Sequence, residues 1–168
     1  MSRLIGWVLP LVTAAVCGWL VFGPGAQLIA LAGGLQPFDL RPGGYDLDAA
    51  LRFLVALPPE GVALYLGPVR RLDTAFPLLM GLTLLWWMRP PTTPFGAVAA
   101  AAALAYVALD LAENHAVARL VEGGAFGLTP ERVRAASLLT QAKFMAFALA
   151  AVLAARAVWQ RARQAGGT

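Results

Sequence analysis

The stretch FGAVAAAAALAYVALDLAENHAVARL, residues 95–120, decides the fold of this chain. Its first fourteen residues carry no charge, and Asp110, Glu113 and His115 follow within the next seven. A helix that crosses a bilayer needs about 20 mostly apolar residues. The stretch therefore predicts a membrane-spanning helix with ionisable groups near one end, where burial is costly unless those groups are paired.

The composition of the whole chain predicts an integral membrane protein. Of the 168 residues, 60% are hydrophobic and 13% are charged, whereas soluble domains carry about 25% charged residues. The mean hydropathy is +0.69. The net charge of +4 fits basic residues that anchor spans at a membrane surface. We therefore expect membrane lipid around the chain and no nucleic-acid partner.

Four apolar blocks are long enough to span a bilayer. They are residues 4–22, 68–88, 95–121 and 132–159. The first block also resembles a signal peptide because of its basic start, and we expect it to be retained as a span. In this prediction residues 23–67 form a long outer segment. The predicted fold is all-α, an integral membrane four-helix bundle that forms a single transmembrane domain over residues 1–168.

The outer segment contains an amphipathic stretch, DLDAALRFLVAL, at residues 46–57. Asp48 and Arg52 are four residues apart, so they share one face of a helix. The stretch predicts a short extracytoplasmic amphipathic helix that lies on the membrane or roofs the bundle. Tyr45 and Tyr65, on either side of it, are interpreted as aromatic residues of the membrane interface.

The distribution of charge predicts the orientation of the spans. All nine acidic residues lie between Asp39 and Glu131, whereas the N-terminus, the short turn RPPTTP at 89–94 and the C-terminal end carry basic residues alone. Because basic residues favour the cytoplasmic side, we expect a multi-pass protein of the bacterial cytoplasmic membrane with both termini in the cytoplasm. Four of the five tryptophans then fall at the inner interface: Trp7, Trp86, Trp87 and Trp159.

Three ionisable residues on three predicted spans lie at one depth. Asp73 is 15 residues from Met88, Asp110 is 15 residues from Phe95, and Lys143 is 16 residues from Trp159. At 1.5 Å per residue, all three lie about 22–24 Å from the inner boundary, in the outer third of the hydrocarbon core. Since unpaired charge in lipid is costly, we expect these side chains to face inward and meet.

The second predicted span has a proline four residues after its aspartate. Pro77 has no N–H to donate to the Asp73 carbonyl, so that backbone oxygen is freed. The Asp73 carboxylate is one possible partner of Lys143. Alternatively, it pairs with Arg70 or Arg71 beside it.

The third span presents several polar residues on one helical face. They are Tyr106, Asp110, Glu113 and Asn114. The alternative for Glu113 and Asn114 is capping, or reaching toward the outer surface. His115 is two residues from Glu113 and points to a different face, so a surface histidine is favoured over a catalytic one.

The fourth span carries Ser137, Thr140 and Gln141 in a stripe, with Lys143, the single lysine of the chain, at its flank. Asp110 is the expected first partner of Lys143. The structural alternative is an Asp110–Lys143 ion pair that only fixes helix register. The three neutral polar residues could instead bond to the backbone of their own helix.

Several kinds of site are disfavoured by what the sequence lacks. Ala116 occupies the position where a Glu-x-x-His motif starting at Glu113 would place its histidine, which argues against a diiron bundle. One histidine and one cysteine, Cys17, give no haem, zinc or thiolate cluster site. Hydrolase, metalloprotease and phosphate-loop motifs are missing from the sequence. We therefore expect neither a metal nor a cofactor.

Four segments carry a resemblance to a known family. They are PFDLRPGGYD (37–46), LYLGPVRRLDTAFPL (64–78), LDLAEN (109–114) and ASLLTQAKF (136–144). Over residues 37–147 the chain resembles a family of small four-span bacterial membrane proteins of uncharacterised activity, which implies the same fold. Its plan is also similar to the sterol-isomerase and sigma-2-receptor group. Proteins of that group hold acidic residues in an intramembrane pocket for cationic or sterol-like ligands.

Two functions fit this pattern. The first is a polar pocket in the outer half of the bundle that binds, and could transform, a small amphiphilic or lipid-like molecule. Its expected lining is Asp73, Asp110, Glu113, Asn114, Thr140 and Lys143, with Tyr106, Ser137, Gln141 and His115 as secondary candidates. The second is a non-catalytic accessory or assembly subunit of a membrane complex, bound to a partner membrane protein, whose polar layer is purely structural.

Overall fold

The computed structural model describes residues 2–89 and 93–166. The described chain is 88% helix and contains no strand within those ranges. The helices are α1 (Ser2–Leu20), α2 (Ala26–Leu31), α3 (Leu47–Ala56), α4 (Pro59–Leu64), α5 (Arg70–Met88), α6 (Pro94–Gly123) and α7 (Pro130–Gly166). The predicted all-helical class is confirmed.

Three helical segments are long and apolar enough to cross a membrane. They are Gly6–Leu31, Pro94–Gly123 and Pro130–Gln164. A fourth is obtained if Leu47–Ala56 and Pro59–Met88, which meet at 108°, count as one broken span. The described chain therefore has three to four candidate spans.

The first helical segment does not end near residue 22 as predicted. It is kinked at Gly23, where φ is −98° and ψ is −109°, passes Pro24 in a widened turn and continues as α2 to Leu31. Pro24 cannot donate a backbone hydrogen bond, and the wide turn absorbs that loss. A Cβ at Gly25 would clash with the Leu20 carbonyl, so the close approach at this turn requires glycine.

The start of the second apolar segment was also predicted wrongly. Helix α4 begins at Pro59, a favourable first position for proline, and a widened turn at Tyr65–Val69 carries it past Pro68 into α5. The predicted start at residue 68 treated Pro68 as the favourable first position of a helix. In the structure the mostly irregular part of the outer segment covers residues 32–46, and the helix α3 follows. Both ends of α6 lie within a few residues of the predicted span 95–121. Helix α7 begins near the predicted residue 132 but extends beyond residue 159 to Gly166.

Helix α3 packs against α6 and α7. Its N-cap is Asp46, whose side chain accepts a hydrogen bond from the Ala49 N–H at 2.8 Å. The exposed face carries the Asp48–Arg52 ion pair. The opposite face buries Phe53 in a core that includes Val117, Leu120, Val133 and Ala136 of α6 and α7.

Helices α5, α6 and α7 pack against one another, and α1 packs mainly along α5. Small residues line the contact between α6 and α7. They include Ala99, Ala103, Ala150 and Ala154, and such residues allow helices to approach closely. The turn predicted at 89–94 falls partly on residues 90–92, outside the described residues. Its last part is described: the Thr93 hydroxyl accepts from the Gly96 N–H at 3.0 Å and caps α6.

Candidate functional site

The acidic side chains of α5 and α6 lie close to the lysine of α7. One carboxylate oxygen from each of Asp73, Asp110 and Glu113 lies within 4.8 Å of the others. Lys143 Nζ is 2.8 Å from Glu113 Oε2 and 3.9 Å from Asp110 Oδ1. The sequence placed residues of three helices at one level, and the structure brings them together in a buried ion-pair network.

Both carboxylate oxygens of Glu113 have hydrogen-bond donors within this network. Glu113 has no exposed surface, and its second oxygen accepts a hydrogen bond from the Thr140 hydroxyl at 2.7 Å. Thr140 and Lys143 are three residues apart on α7, so both donors lie on the side that faces Glu113. The expectation that Glu113 caps a helix or reaches the outer surface is therefore wrong.

The expected ion pair between Lys143 and Asp110 is present at 3.9 Å, but Glu113 is the nearer partner of Lys143, at 2.8 Å. The ammonium donates to Glu113, because the longer glutamate side chain reaches further toward α7 and leaves Asp110 beyond hydrogen-bond distance. Asp110 is 4% exposed, and its Oδ1 has no hydrogen-bond partner in the described part of the chain. A buried acceptor without a donor costs about 1–3 kcal/mol, and more if it is charged.

Asn114 satisfies the carbonyl that Pro77 leaves free. Its Nδ2 donates to the Asp73 backbone oxygen at 2.9 Å. The prediction that the proline frees this oxygen is confirmed. The alternative pairing of the Asp73 carboxylate is wrong, since Arg70 contacts Glu122 at 3.4 Å and Arg71 donates to the Gly67 carbonyl.

The secondary candidates divide into two groups. Tyr106 is buried near Asp110, and its ring centroid lies 5.3 Å from that of Phe147. Ser137 Oγ accepts from the Tyr45 N–H at 2.8 Å, and Gln141 Nε2 donates to the Ser137 carbonyl at 3.4 Å. Ser137 therefore holds the loop before α3, Gln141 bonds to the backbone of its own helix, and neither residue joins the acidic network.

His115 does not join the network either. It is exposed on α6, as expected for a surface histidine. A catalytic role for it has no support in this geometry.

Sequence reasoning missed Asp39. This residue lies in the short helical turn Phe38–Leu40, is buried, and accepts a hydrogen bond from the Tyr65 hydroxyl at 2.5 Å. The same hydroxyl accepts from the Phe38 N–H at 3.2 Å. Tyr65 is thus a buried core residue, and its prediction as an interface aromatic is wrong. The available signal was an aspartate between apolar neighbours in QPFDL.

Tyr45 was assigned to the interface as well, and it instead packs in the loop core. Its ring centroid is 4.9 Å from that of Phe38, and Arg41 lies over both rings. Burial raises the pKa of the Tyr45 hydroxyl and lowers the pKa of the Arg41 guanidinium. Phe38, Arg41 and Tyr45 therefore pack as a cluster within the loop before α3.

A cavity of about 270 Å³ adjoins the network on the side of α1 and α2. Its polar lining comes from Asp39, Asp73, Asp110, Lys143 and Tyr106, and its apolar lining includes Leu28, Ile29, Phe76, Phe144 and Phe147. Of the six primary candidates, three line the cavity. The other three, Glu113, Asn114 and Thr140, lie behind it and support its wall.

The network carries an excess of acidic groups. Four carboxyl groups, including Asp39, surround one ammonium, which leaves a formal charge of −3 if all are ionised. By spacing, Asp73, Asp110 and Glu113 could hold a metal ion. Lys143 already places a positive charge against Glu113, and the expectation that no metal binds stays a prediction.

No family model, curated protein or solved structure matches this chain. The resemblances suggested by its motifs therefore stay predictions. The class that fold and site define is an all-helical chain with three to four membrane-length apolar helices around a buried Lys143–Glu113–Asp110 network.

Proposed function

We propose that the chain is an integral protein of the bacterial cytoplasmic membrane, with four spans and both termini in the cytoplasm. Broken segments α1–α2 and α4–α5 would form two spans, and α6 and α7 the others. Large apolar side chains support this because they are exposed along the helices, such as Trp7 at 74% and Trp159 at 55%. A soluble monomer rarely exposes such extended apolar surface.

Arginine–tryptophan pairs support the proposed inner boundary. The Arg89 guanidinium lies 3.5 Å from the Trp86 ring centroid, and that of Arg163 lies 4.0 Å from the Trp159 centroid. Both pairs occur where α5 and α7 end. Tryptophan and arginine favour the headgroup region, the arginine with its charge toward water.

We infer that the cavity binds a small amphiphilic or lipid-like molecule. The observation that carries this proposal is that Asp110 lines a cavity of about 270 Å³, and its buried Oδ1 lacks a hydrogen-bond donor among the described residues. A cavity of this kind, mostly apolar with a few convergent polar groups, is typical of small-molecule sites. The acidic wall would orient the polar end of the ligand, and the phenylalanine wall would hold its apolar part.

The test is thermal unfolding of the purified protein in detergent, with and without fractions of a broad lipid extract. We expect at least one fraction to raise the melting temperature of the wild type and of Asp48→Asn, whose exposed ion pair lies outside the cavity. The same fraction should have no effect on Asp110→Asn. The proposal fails if no fraction shifts the wild type, or if Asp110→Asn responds equally.

The second candidate function is an accessory or assembly subunit in which the network only locks helix packing. The saturated contacts of Glu113 with Thr140 and Lys143 favour it, since this half of the network needs no ligand. Purification from native membranes in mild detergent tests it. A stoichiometric membrane partner would support this candidate, and a stable lone species would contradict it.

A further inference from the structure

A second, larger recess adjoins the cavity. It is an apolar groove of about 1010 Å³ along α1, α5 and α7. Three residues, Cys17, Phe76 and Phe147, line both the groove and the cavity. The two recesses therefore adjoin each other at these three side chains, with the acidic groups lining the cavity and mostly apolar side chains lining the groove.

The groove is long and has almost no free polar groups. Along α5 it runs from Phe76 to Trp87, eleven residues, or about 16 Å at the helical rise. The hydroxyls of Thr13 and Thr83 face it but bond to each other at 3.0 Å. Arg161 also lines the groove, and its guanidinium donates to the Ala157 and Trp87 carbonyls. A ligand in the groove therefore meets hydrocarbon along most of its length, which suits an alkyl chain.

The groove opens on the flank of the helices. Helix α1 packs mainly along α5, and groove residues Trp7, Val158 and Trp159 are exposed. In a bilayer this flank faces lipid. A lipid-soluble molecule could therefore enter between α1 and α7 without crossing the acidic end.

The acidic end selects the chemistry of the polar group. Carboxylate oxygens accept hydrogen bonds and donate none when ionised, and Asp110 Oδ1 has no donor among the described residues. The Lys143 ammonium bonds to Glu113. An anionic group would add negative charge beside Asp73 and Asp110, whereas N–H or O–H donors would satisfy them.

We propose that the cavity and groove together hold one single-chain amphiphile with a hydrogen-bond-donating head, an amine or an alcohol. The head would donate to Asp110 and Asp73, and the alkyl chain would lie in the α1–α7 groove and point toward the inner end. This inference rests on the proposed ligand-binding function and adds the head chemistry and the tail site to it.

The experiment measures thermal stabilisation of the full chain in lipid nanodiscs by four probes: dodecylamine, dodecanol, dodecanoate and hexylamine. We expect dodecylamine and dodecanol to raise the melting temperature and dodecanoate to have no effect. Hexylamine should need at least a tenfold higher concentration for half of the shift, because fewer methylenes are buried. Tighter binding of dodecylamine than of dodecanol would assign an ammonium head, and equal binding a neutral donor.

Two phenylalanine substitutions test the groove. Ala151→Phe fills it just beyond Phe147, whereas Leu149→Phe changes an exposed position outside it. In Ala151→Phe, dodecylamine should bind as weakly as hexylamine, and Leu149→Phe should behave as wild type. Circular dichroism and a monodisperse elution profile check folding. If Ala151→Phe fails to fold, Ala155→Phe on the same groove wall replaces it.

The outcomes separate this inference from the proposed function. Equal binding of dodecylamine and hexylamine, both lost in Asp110→Asn, would contradict the proposal that the alkyl chain binds in the groove. The proposal that the cavity binds a ligand would still stand. Preferential binding of dodecanoate would overturn the head chemistry. If neither these probes nor any lipid fraction shifts the wild type, both proposals fail.

Discussion

Replacing Lys143 by Met removes the ammonium that donates to Glu113 Oε2 at 2.8 Å but keeps an unbranched side chain of similar length. Glu113 has no exposed surface, so water cannot replace the lost partner. Breaking a buried ion pair on one side costs about 3–5 kcal/mol, since it leaves an uncompensated charge. The Thr140 hydroxyl still donates to Glu113, so we expect a loss near the lower end of that range.

A second substitution tests whether this loss comes from the pair. Glu113→Gln removes the carboxylate charge that Lys143→Met leaves unpaired. In contact pairs the interaction energy of a double-mutant cycle is about 0.5–3 kcal/mol. We therefore expect the double variant to be less destabilised than the sum of the two single variants by at least about 1 kcal/mol.

The assay is equilibrium unfolding in mixed micelles with increasing dodecyl sulfate, followed by circular dichroism at neutral pH. Arg52→Met is the control because it breaks the exposed Asp48–Arg52 pair, and such helical pairs contribute about 0.3–0.5 kcal/mol. The reasoning would be refuted if Lys143→Met and Glu113→Gln changed the free energy of unfolding additively. It would also be refuted if Lys143→Met lowered that free energy no more than Arg52→Met does.

Two further predictions concern helix packing and the missed aspartate. A Cβ at Gly81 would clash with Val107 Cγ2, whereas one at Gly18 would meet nothing within 4 Å. Gly81→Ala should therefore cost about 1–3 kcal/mol and Gly18→Ala should cost nothing; equal melting temperatures would contradict this. Tyr65→Phe removes the hydroxyl that donates to buried Asp39, and a hydrogen bond to a charged group contributes about 1.5–3 kcal/mol. An unchanged unfolding free energy would show that Asp39 has another partner.

Positions along helix axes could be predicted because the rise per residue is fixed. That rule alone placed Asp73, Asp110 and Lys143 at one depth, and the structure brings them together. The freed Asp73 carbonyl followed from the chemistry of Pro77 in the same way, and Asn114 satisfies it. Local geometry thus predicted the depth at which these groups lie and the backbone carbonyl that needs a donor.

Rotation about each helix axis and the path of the loop could not be predicted. Whether Lys143 reaches Glu113 or Asp110 depends on modest rotations of the helices about their axes and on side-chain rotamers. Asp39 reaches the cavity through the fold of an irregular loop, which has no periodicity to follow. The predicted spans ended at residue 22 and began at residue 68, but widened turns carry the helices past Pro24 and Pro68.

The network contains a satisfied half and an unsatisfied half, and they favour different functions. Glu113, Thr140 and Lys143 satisfy one another between α6 and α7, which is the arrangement a structural lock requires. By holding Lys143, Glu113 also leaves Asp110 Oδ1 beside the cavity without a donor from the described residues. If Asp110 only served packing, Asp110→Asn should destabilise the protein as Lys143→Met does. If it serves a ligand, Asp110→Asn should leave the unfolding free energy at or above that of the wild type, since it removes a buried carboxylate whose Oδ1 has no hydrogen-bond donor among the described residues. It should then abolish only the ligand-dependent shift.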